Sequence, residues 1–415
     1  MSVFVLNQRK EPLMPTTPRK ARILLKEGKA KVVKRIPFTI QLLYVTGETK
    51  QDVTLGVDAG SKCIGISATT NKKELFSAEV ELRNDIVDLL STRKQNRRIR
   101  RNRLRYRKPR FLNRVKSKNK GWLAPSIQNK INTHLTIIEK IYKILPISKI
   151  IVEVASFDIQ KIKNPNISGK EYQQGEQLDF WNTREYVLFR DNHQCQGKKG
   201  CKNKILNVHH IESRKTGGNA PNNLITLCEN CHDKYHKGIL KLDLKRKQSF
   251  KDATFMGIMR WIFYNKLKEL YSNVKLTYGY ITKNTRIKNS LPKEHRVDAL
   301  CITGNPLVKR LDNWYFIKKV RCHNRKIHKI NILKGGNKKL NQAQFEVKGF
   351  RLFDKVRYQG KEYFVFGRRN SGFFDIRTLD GEKVNKGSIN CNKLKLIGFR
   401  KNMLWERRMA IPTFV

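Results

Sequence analysis

No stretch of this 415-residue chain approaches the ~20 consecutive apolar residues of a membrane-crossing helix, which argues against a helical membrane protein. The first residues, MSVFVLNQRK, hold a four-residue apolar run before turning polar, too short for a secretory signal. Neither an amphipathic anchor nor a lipidation site accompanies the basic charge, so a membrane surface is not the expected partner. No internal repeat is found, which excludes a solenoid. Four of the eight cysteines (Cys63, Cys301, Cys322, Cys391) are scattered singly, and the other four crowd one segment, a distribution unlike a disulfide framework. Acidic residues are the scarcest resource: 34 Asp and Glu stand against 88 Lys and Arg, and none falls between Asp88 and Glu139.

The resulting formal charge of +54 would repel itself in a free compact protein, and its natural counter-charge is a polyphosphate chain. With 39% apolar residues the chain builds real cores and is not a disordered basic tail. The length is a prior for two to four domains. The expected location is the cytoplasm or nucleoid.

Pro12-Leu13-Met14-Pro15 gives the N-terminal segment a stiff, extended approach, followed by a basic stretch of helix formers from Arg19 to Val33. From Val53 to Thr70, alternating apolar residues interrupted by Gly60 predict a β-hairpin, and Glu74 to Leu82 a third strand. An apolar stripe from Ser126 to Leu145 predicts a helix stopped by Pro146, and KIIVEVA, Lys149 to Ala155, a buried strand. A helix over Phe255 to Tyr271, a strand over Val274 to Tyr280 and a short helix opening near His295 follow. Beyond Pro306, short aromatic runs between turns at Gln359-Gly360, Asn370-Ser371-Gly372 and Asp380-Gly381 predict a small β-meander or barrel.

Two constellations carry chemistry. In the first, Cys195, Cys201, Cys228 and Cys231 have the thiolates for a closed tetrahedral zinc site, although the first pair is separated by five residues rather than the usual two. Between and beyond them lie His209 and His210, adjacent on a strand with rings on opposite faces, then Asn223, then His232 and His236 sharing one helix face. Gly217-Gly218 and Asn222-Asn223 shape the intervening loop. The second set is dispersed: Asp58 in GVDAG, Glu153 inside an apolar run where a carboxylate is costly without a partner, and His295 and Asp298 three apart on a helix. Between them runs the basic segment, with Arg93, Arg97, Arg101 and Arg105 at helical spacing and Arg98, Arg100, Arg103, Arg107 and Arg110 on other faces. A helix basic all round fits phosphates on more than one side, while Tyr106, Phe111 and Trp122 stack on bases or pack.

The first constellation resembles the HNH (ββα-metal) nuclease family. That resemblance implies His210 as general base, His209 and His232, with His236 as a third candidate, on one divalent metal, and Asn223 pinning the loop that orients His210. The second resembles the RuvC branch of RNase H-like nucleases, which implies Asp58, Glu153 and Asp298 as ligands of two metal ions and His295 assisting the water or the metal. The order of the parts, with Pro-Leu-Met-Pro near the start, resembles the IscB family over nearly the whole chain, more weakly at the C-terminus, where the resemblance lies in the general β-rich character and the HKINILKGG stretch.

The implied fold is α/β: an RNase H-like (RuvC) core split in three, an inserted HNH domain, an arginine-rich bridge helix and a C-terminal β-rich domain. Its expected parts are an N-terminal domain over 1–52, RuvC segments over 53–90, 121–160 and 250–306, the bridge over 91–120, HNH over 176–242, and the C-terminal domain over 307–415. The implied activity is RNA-guided DNA cleavage. A monomer would carry a structured noncoding guide RNA, act on double-stranded target DNA beside a short adjacent motif, and use Mg²⁺ (or Mn²⁺) with structural Zn²⁺. A protein-guided homing-type HNH endonuclease leaves Asp58, Glu153 and Asp298 idle. A non-catalytic RNA-binding protein makes both constellations coincidence.

Overall fold

Prolines remove ladder donors, and the N-terminal segment uses its pair at a sheet edge. The computed structural model describes residues 2–101, 123–154, 177, 180, 182–198, 200–212, 219–242, 244, 251–322 and 344–410. In it, Val3–Leu6 (β1), Pro12–Thr16 (β2), Ala30–Lys34 (β3) and Thr39–Leu42 (β4) form a four-stranded sheet in the order β2-β1-β4-β3. Pro12 and Pro15 thus lie on an outer strand. Helix Pro18–Lys26 (α1) starts where Thr17 accepts a hydrogen bond from the Lys20 amide at 3.3 Å, with Pro18 in the first turn. Its Ala21 and Leu24 pack against Val3, Val5 and Ile40. The helix takes up only the first half of the stretch of helix formers from Arg19 to Val33, whose end lies in β3, and the four short strands were not foreseen.

Thr54–Ala59 (β5), Cys63–Thr69 (β6) and Glu74–Glu81 (β7) form the antiparallel set expected around Gly60. Ile86–Arg101 (α2) and Pro125–Tyr142 (α3) follow, then Lys149–Glu153 (β8), which pairs parallel to β5. The chain continues through Thr183–Arg190 (α4), Leu206–His210 (β9), Leu224–Cys228 (β10) and Glu229–His236 (α5). Lys251–Leu270 (α6) leads to Val274–Thr277 (β11), parallel to β8. The strand expected to reach Tyr280 stops at Thr277, because the chain turns at Tyr278 into a helix over Gly279–Lys288 (α7). His295–Ile302 (α8) is the short helix foreseen near His295.

The central sheet has two further strands. Asn313–Lys319 (β12) runs parallel to β7. The rest of the C-terminal region forms a hairpin of Glu346–Val347 (β13) and Phe350–Arg351 (β14), then Lys355–Tyr358 (β15), Lys361–Arg368 (β16), Phe373–Arg377 (β17), Ile389–Asn390 (β18) and Lys395–Gly398 (β19). These last five make an antiparallel sheet over Val356, Val365, Phe374 and Ile376. Met403–Met409 (β20) then returns to pair with β12. The central order is β11-β8-β5-β6-β7-β12-β20. Region 307–415 is therefore not a separate domain throughout, since its first and last strands complete the central sheet.

Two compact units result, one of Met1–Asn84, Lys108–Ala155 and Ile258–Val415, the other of Asp85–Arg107 and Ser156–Gly257. In the first, Leu55, Val57, Ile64, Ile66, Val80 and Val152 are fully buried. Among the described residues no helix is long and apolar enough to cross a membrane.

Candidate active sites

Strand register brings the first site together. Asp58 on β5 pairs directly with Glu153 on β8, and Glu153 with Thr277 on β11. On its other side Asp58 pairs with Gly65 on β6, and Gly65 with Glu79 on β7. Paired residues share a sheet face, so Glu79, Asp58, Glu153 and Thr277 form one row.

Two glycines let α8 descend onto that row. A Cβ on Gly65 would lie 1.8 Å from the His295 carbonyl oxygen, and one on Gly56 2.1 Å from that of Ala299. No other residue fits such an approach. The helix places the His295 Nδ1 2.7 Å from the Asp58 Oδ2. Asp298, one turn on, forms an ion pair with Arg286 of α7 at 2.8 Å. A third glycine, Gly279, meets Glu153, whose Oε1 would lie 2.9 Å from a Cβ there.

Crowded carboxylates disturb one another. The hydrogen bond that His295 donates to Asp58 raises the His295 pKa, favouring the imidazolium. Burial lifts Glu153 to about 7; Thr282 opposes the rise, and the charges of Asp58 and Asp298 add to it. Burial and then Asp58 also raise Asp298, against the pull of Arg286. A cation is what such a group is short of, so the donor set fits hard divalent metal ions.

Sequence reasoning missed Glu79. Its Oε1 accepts the Arg296 amide at 3.2 Å, in the first turn of α8, where the capping residue Glu294 supplies no side-chain hydrogen bond. It thereby helps fix the helix that carries His295 and Asp298. Nothing local in ELFSAEVE marks it, because its role comes from register across β6.

The second site lies in the other unit. β9 and β10 pair with His209 opposite Ile225 and His210 opposite Leu224. His209 is buried and turns toward α5, where its ring centroid lies 5.2 Å from His232 and 5.1 Å from His236. The His232 and His236 Nε2 atoms are 3.2 Å apart. Burial, then the neighbouring imidazoles, hold the His209 pKa down at about 4, so it stays neutral, as a metal ligand must.

His210 points away from this group, with Nε2 3.1 Å from the Asn219 Oδ1, a partner the sequence did not disclose. With that oxygen accepting, the tautomer that carries its proton on Nε2 leaves the Nδ1 lone pair open. Asn223 is fully buried; its side chain accepts the Glu212 amide at 2.8 Å and donates to the Glu212 carbonyl at 3.0 Å, tying down the chain just beyond His210. Arg190 braces the same corner by donating to the Pro221 and Leu224 carbonyls at 2.8 and 2.9 Å.

Cys195, Cys201, Cys228 and Cys231 converge with all four sulfurs within 4.8 Å of one another, despite the long first spacing. Tetrahedral zinc at ~2.3 Å from each sulfur sets them roughly 3.8 Å apart, so the cluster fits that ion. Two sulfurs already accept backbone amides, Cys228 from Cys231 and Cys195 from Gly197, both at 3.4 Å. Among the described residues, the three histidines form the other group whose ligand atoms all lie within 4.8 Å of one another. The set around Asp58 does not close on one point in this way. Asp58 is turned to His295 and Asp298 to Arg286, and two metal ions ~4 Å apart require a wider arrangement than one.

Of the basic segment, α2 holds Arg93, Arg97 and Arg98 exposed and carries Arg100 and Arg101 in its last turn. Arg103, Arg105, Arg107 and Arg110 lie outside the described residues, as do Tyr106, Phe111, Trp122, Gly217, Gly218 and the HKINILKGG stretch.

Residues 3–175 match the family described as RRXRR protein, and residues 194–238 match HNH endonuclease. The chain thus carries an RRXRR domain followed by an HNH endonuclease domain. That pairing on one chain is consistent with an IscB-like protein. A curated relative, Anaredoxin of Nostoc sp., is 49% identical over 45 residues, 11% of this chain and 59% of its own length. Two crystal structures of Streptococcus thermophilus Cas9, with the AGAA and AGGA PAM, show 12% and 11% identity at TM-scores of 0.32 and 0.31. The alignments cover 61% of this chain and 32% of theirs, and values this low do not establish a common fold.

Proposed function

We propose that the protein is an RNA-guided DNA endonuclease with two centres: an HNH centre cutting the guide-paired strand and a RuvC-like centre cutting the displaced strand. The observation that carries this reading is the presence of two separate constellations in two compact units, His209, His210, His232 and His236 in one and Asp58, Glu153, His295 and Asp298 in the other. A homing-type HNH enzyme has no use for the second. The central order β11-β8-β5-β6-β7, three antiparallel strands followed by two parallel ones, supports an RNase H-like core interrupted by α2 and the HNH segment.

In the HNH centre His210 takes the proton of the attacking water through Nδ1, while Asn219 and Asn223 hold its ring and the adjoining loop. His209, His232 and His236 would hold a divalent cation, and Asp58, Glu153 and Asp298 would hold two, Mg²⁺ or Mn²⁺. Bound there, the ions supply Lewis-acid stabilisation of charge developing on the phosphate. His295, held by its hydrogen bond to Asp58, is placed to assist the attacking water or the metal. The cysteine cluster would hold structural Zn²⁺.

RNA guidance rests on the +54 charge, on α2 with its exposed arginines, and on the RRXRR domain. Base pairing then supplies sequence choice and the protein grips backbone. The C-terminal β-rich region is assigned to the motif beside the target, and the working form to a monomeric ribonucleoprotein in the prokaryotic cytoplasm or nucleoid. The test is to express the protein with its native flanking DNA and sequence the RNA that copurifies. One discrete structured species encoded beside the gene is expected; a smear of unrelated RNA, or none, overturns the guided reading.

A further inference from the structure

Two tyrosines flank the first turn of α7 without entering a core. Tyr278 is 50% exposed and Tyr280 66%, and their rings lie within 13° of parallel with centroids 6.2 Å apart. A single exposed aromatic residue is ordinary, but two near-parallel rings projecting from one turn form a surface with a shape. Its location narrows what it could receive. Gly279 lies between them, and its backbone comes so close to Glu153 that a Cβ would sit 2.9 Å from the Oε1. The rings therefore rise from the chain segment that borders the carboxylate row.

Charge on the same helix points the same way. Lys283, three residues after Tyr280 and so on the same helix face, is exposed. Arg286, by contrast, is turned to Asp298. Aromatic faces beside a free ammonium match the recurring surface for unpaired nucleic acid, where rings stack on bases and cations follow phosphates. A paired duplex offers no base faces to such a surface. An unpaired strand does, and stacking tolerates any sequence because every base has a π-face.

We propose that Tyr278 and Tyr280 form a stacking platform for bases of a single-stranded DNA segment, flanking the phosphate presented to Asp58, Glu153 and Asp298, with Lys283 on a neighbouring phosphate. The role in cutting rests on the RuvC-like reading of the carboxylate row; the binding of single-stranded DNA does not. The platform positions the strand and takes no part in bond breaking.

The test uses the full chain with whatever RNA copurifies. A single-stranded oligonucleotide carrying 5-iodouracil is irradiated with the wild type, with Asp58→Ala, and with the pairs Tyr278→Leu/Tyr280→Leu and Tyr278→Phe/Tyr280→Phe. Crosslinked peptides are then mapped. Crosslinks at Tyr278 or Tyr280 are expected in the wild type and in Asp58→Ala, retained at these positions in the Phe pair and lost in the Leu pair. Displaced-strand cleavage by the Leu pair should fall roughly 10-fold, the loss of about one stacked base. No crosslink at either position in the wild type, or cleavage by the Leu pair at the wild-type rate, overturns the proposal. Should Asp58→Ala still cut the displaced strand, the RuvC-like reading fails by itself, and the crosslink map continues to decide the platform.

Discussion

Gly65 offers a sharp perturbation of the carboxylate centre, because it has no side chain of its own and sets the height of the helix above it. Ordinary van der Waals contact begins at 3.4 Å, and an alanine Cβ would lie 1.8 Å from the His295 carbonyl oxygen, so Gly65→Ala forces α8 outward by about 1.6 Å. Ala299, four residues further along α8, sits almost as tightly on Gly56, its carbonyl oxygen 2.1 Å from a Cβ there, and resists a simple tilt. The displaced residue is the one bonded to Asp58 at 2.7 Å, and Asp298 moves with it. A misplacement of ~1 Å costs on the order of 100-fold in rate, and overpacking of this kind costs about 1–3 kcal/mol of stability. The assay is strand-resolved cleavage of a guided target labelled on both strands, with urea unfolding of the same preparation. Displaced-strand cutting should fall about 100-fold, the urea midpoint should drop, and guide-paired-strand cutting should persist. Wild-type cutting of both strands, or equal loss on both by a folded protein, refutes the account of how the helix is seated.

Three further outcomes are expected. Glu79→Ala should slow displaced-strand cutting roughly 10-fold through loss of the acceptor for the Arg296 amide, and Glu79→Gln, which keeps an acceptor oxygen, should restore most of it; equal effects of the two would assign the role to charge instead. Metal analysis of purified protein should find one zinc per chain, and Cys228→Ser should abolish it with loss of structure in the HNH unit; a zinc-free, fully folded protein contradicts the four-cysteine assignment. His134, fully buried on α3, is held down to about 4 by burial, against 6.5 for an ordinary histidine. Below 6.5 the unfolded chain takes up a proton that the folded chain refuses. Its stability contribution is therefore complete above pH 6.5 and falls as pH drops toward 4, by about 3 kcal/mol in all. A His134→Gln variant whose stability has the same slope over pH 4–6.5 would remove this group as the cause.

Local pattern and non-local register divide what the sequence disclosed from what it hid. The strands on either side of Gly60, the stripe in α3 and the histidine pair on β9 follow from alternation or helical spacing, and each lies within a few residues of its expected bounds. Glu153 stood out because a carboxylate inside an apolar run needs a reason. Glu79 did not, because its meaning depends on pairing across β6 with a row whose members come from separate strands of the sheet. Gly56 and Gly65 read as ordinary strand glycines until a helix from beyond residue 290 rests on them. The attachment of β12 and β20 to the central sheet was hidden for the same reason, since two strands separated by a small β-sheet give no sign of whom they pair with. The N-terminal strands, at four to five residues and with two prolines in β2, fall below what alternation alone resolves.

Separate substitution of the two centres tests the central claim most directly. His210→Ala and Asp58→Ala, each assayed on a guided duplex labelled on both strands, should give two nickases of opposite polarity: the first leaves the guide-paired strand intact and the second the displaced strand. If His210→Ala alone abolished cutting of both strands, two independent centres would be the wrong description of this protein.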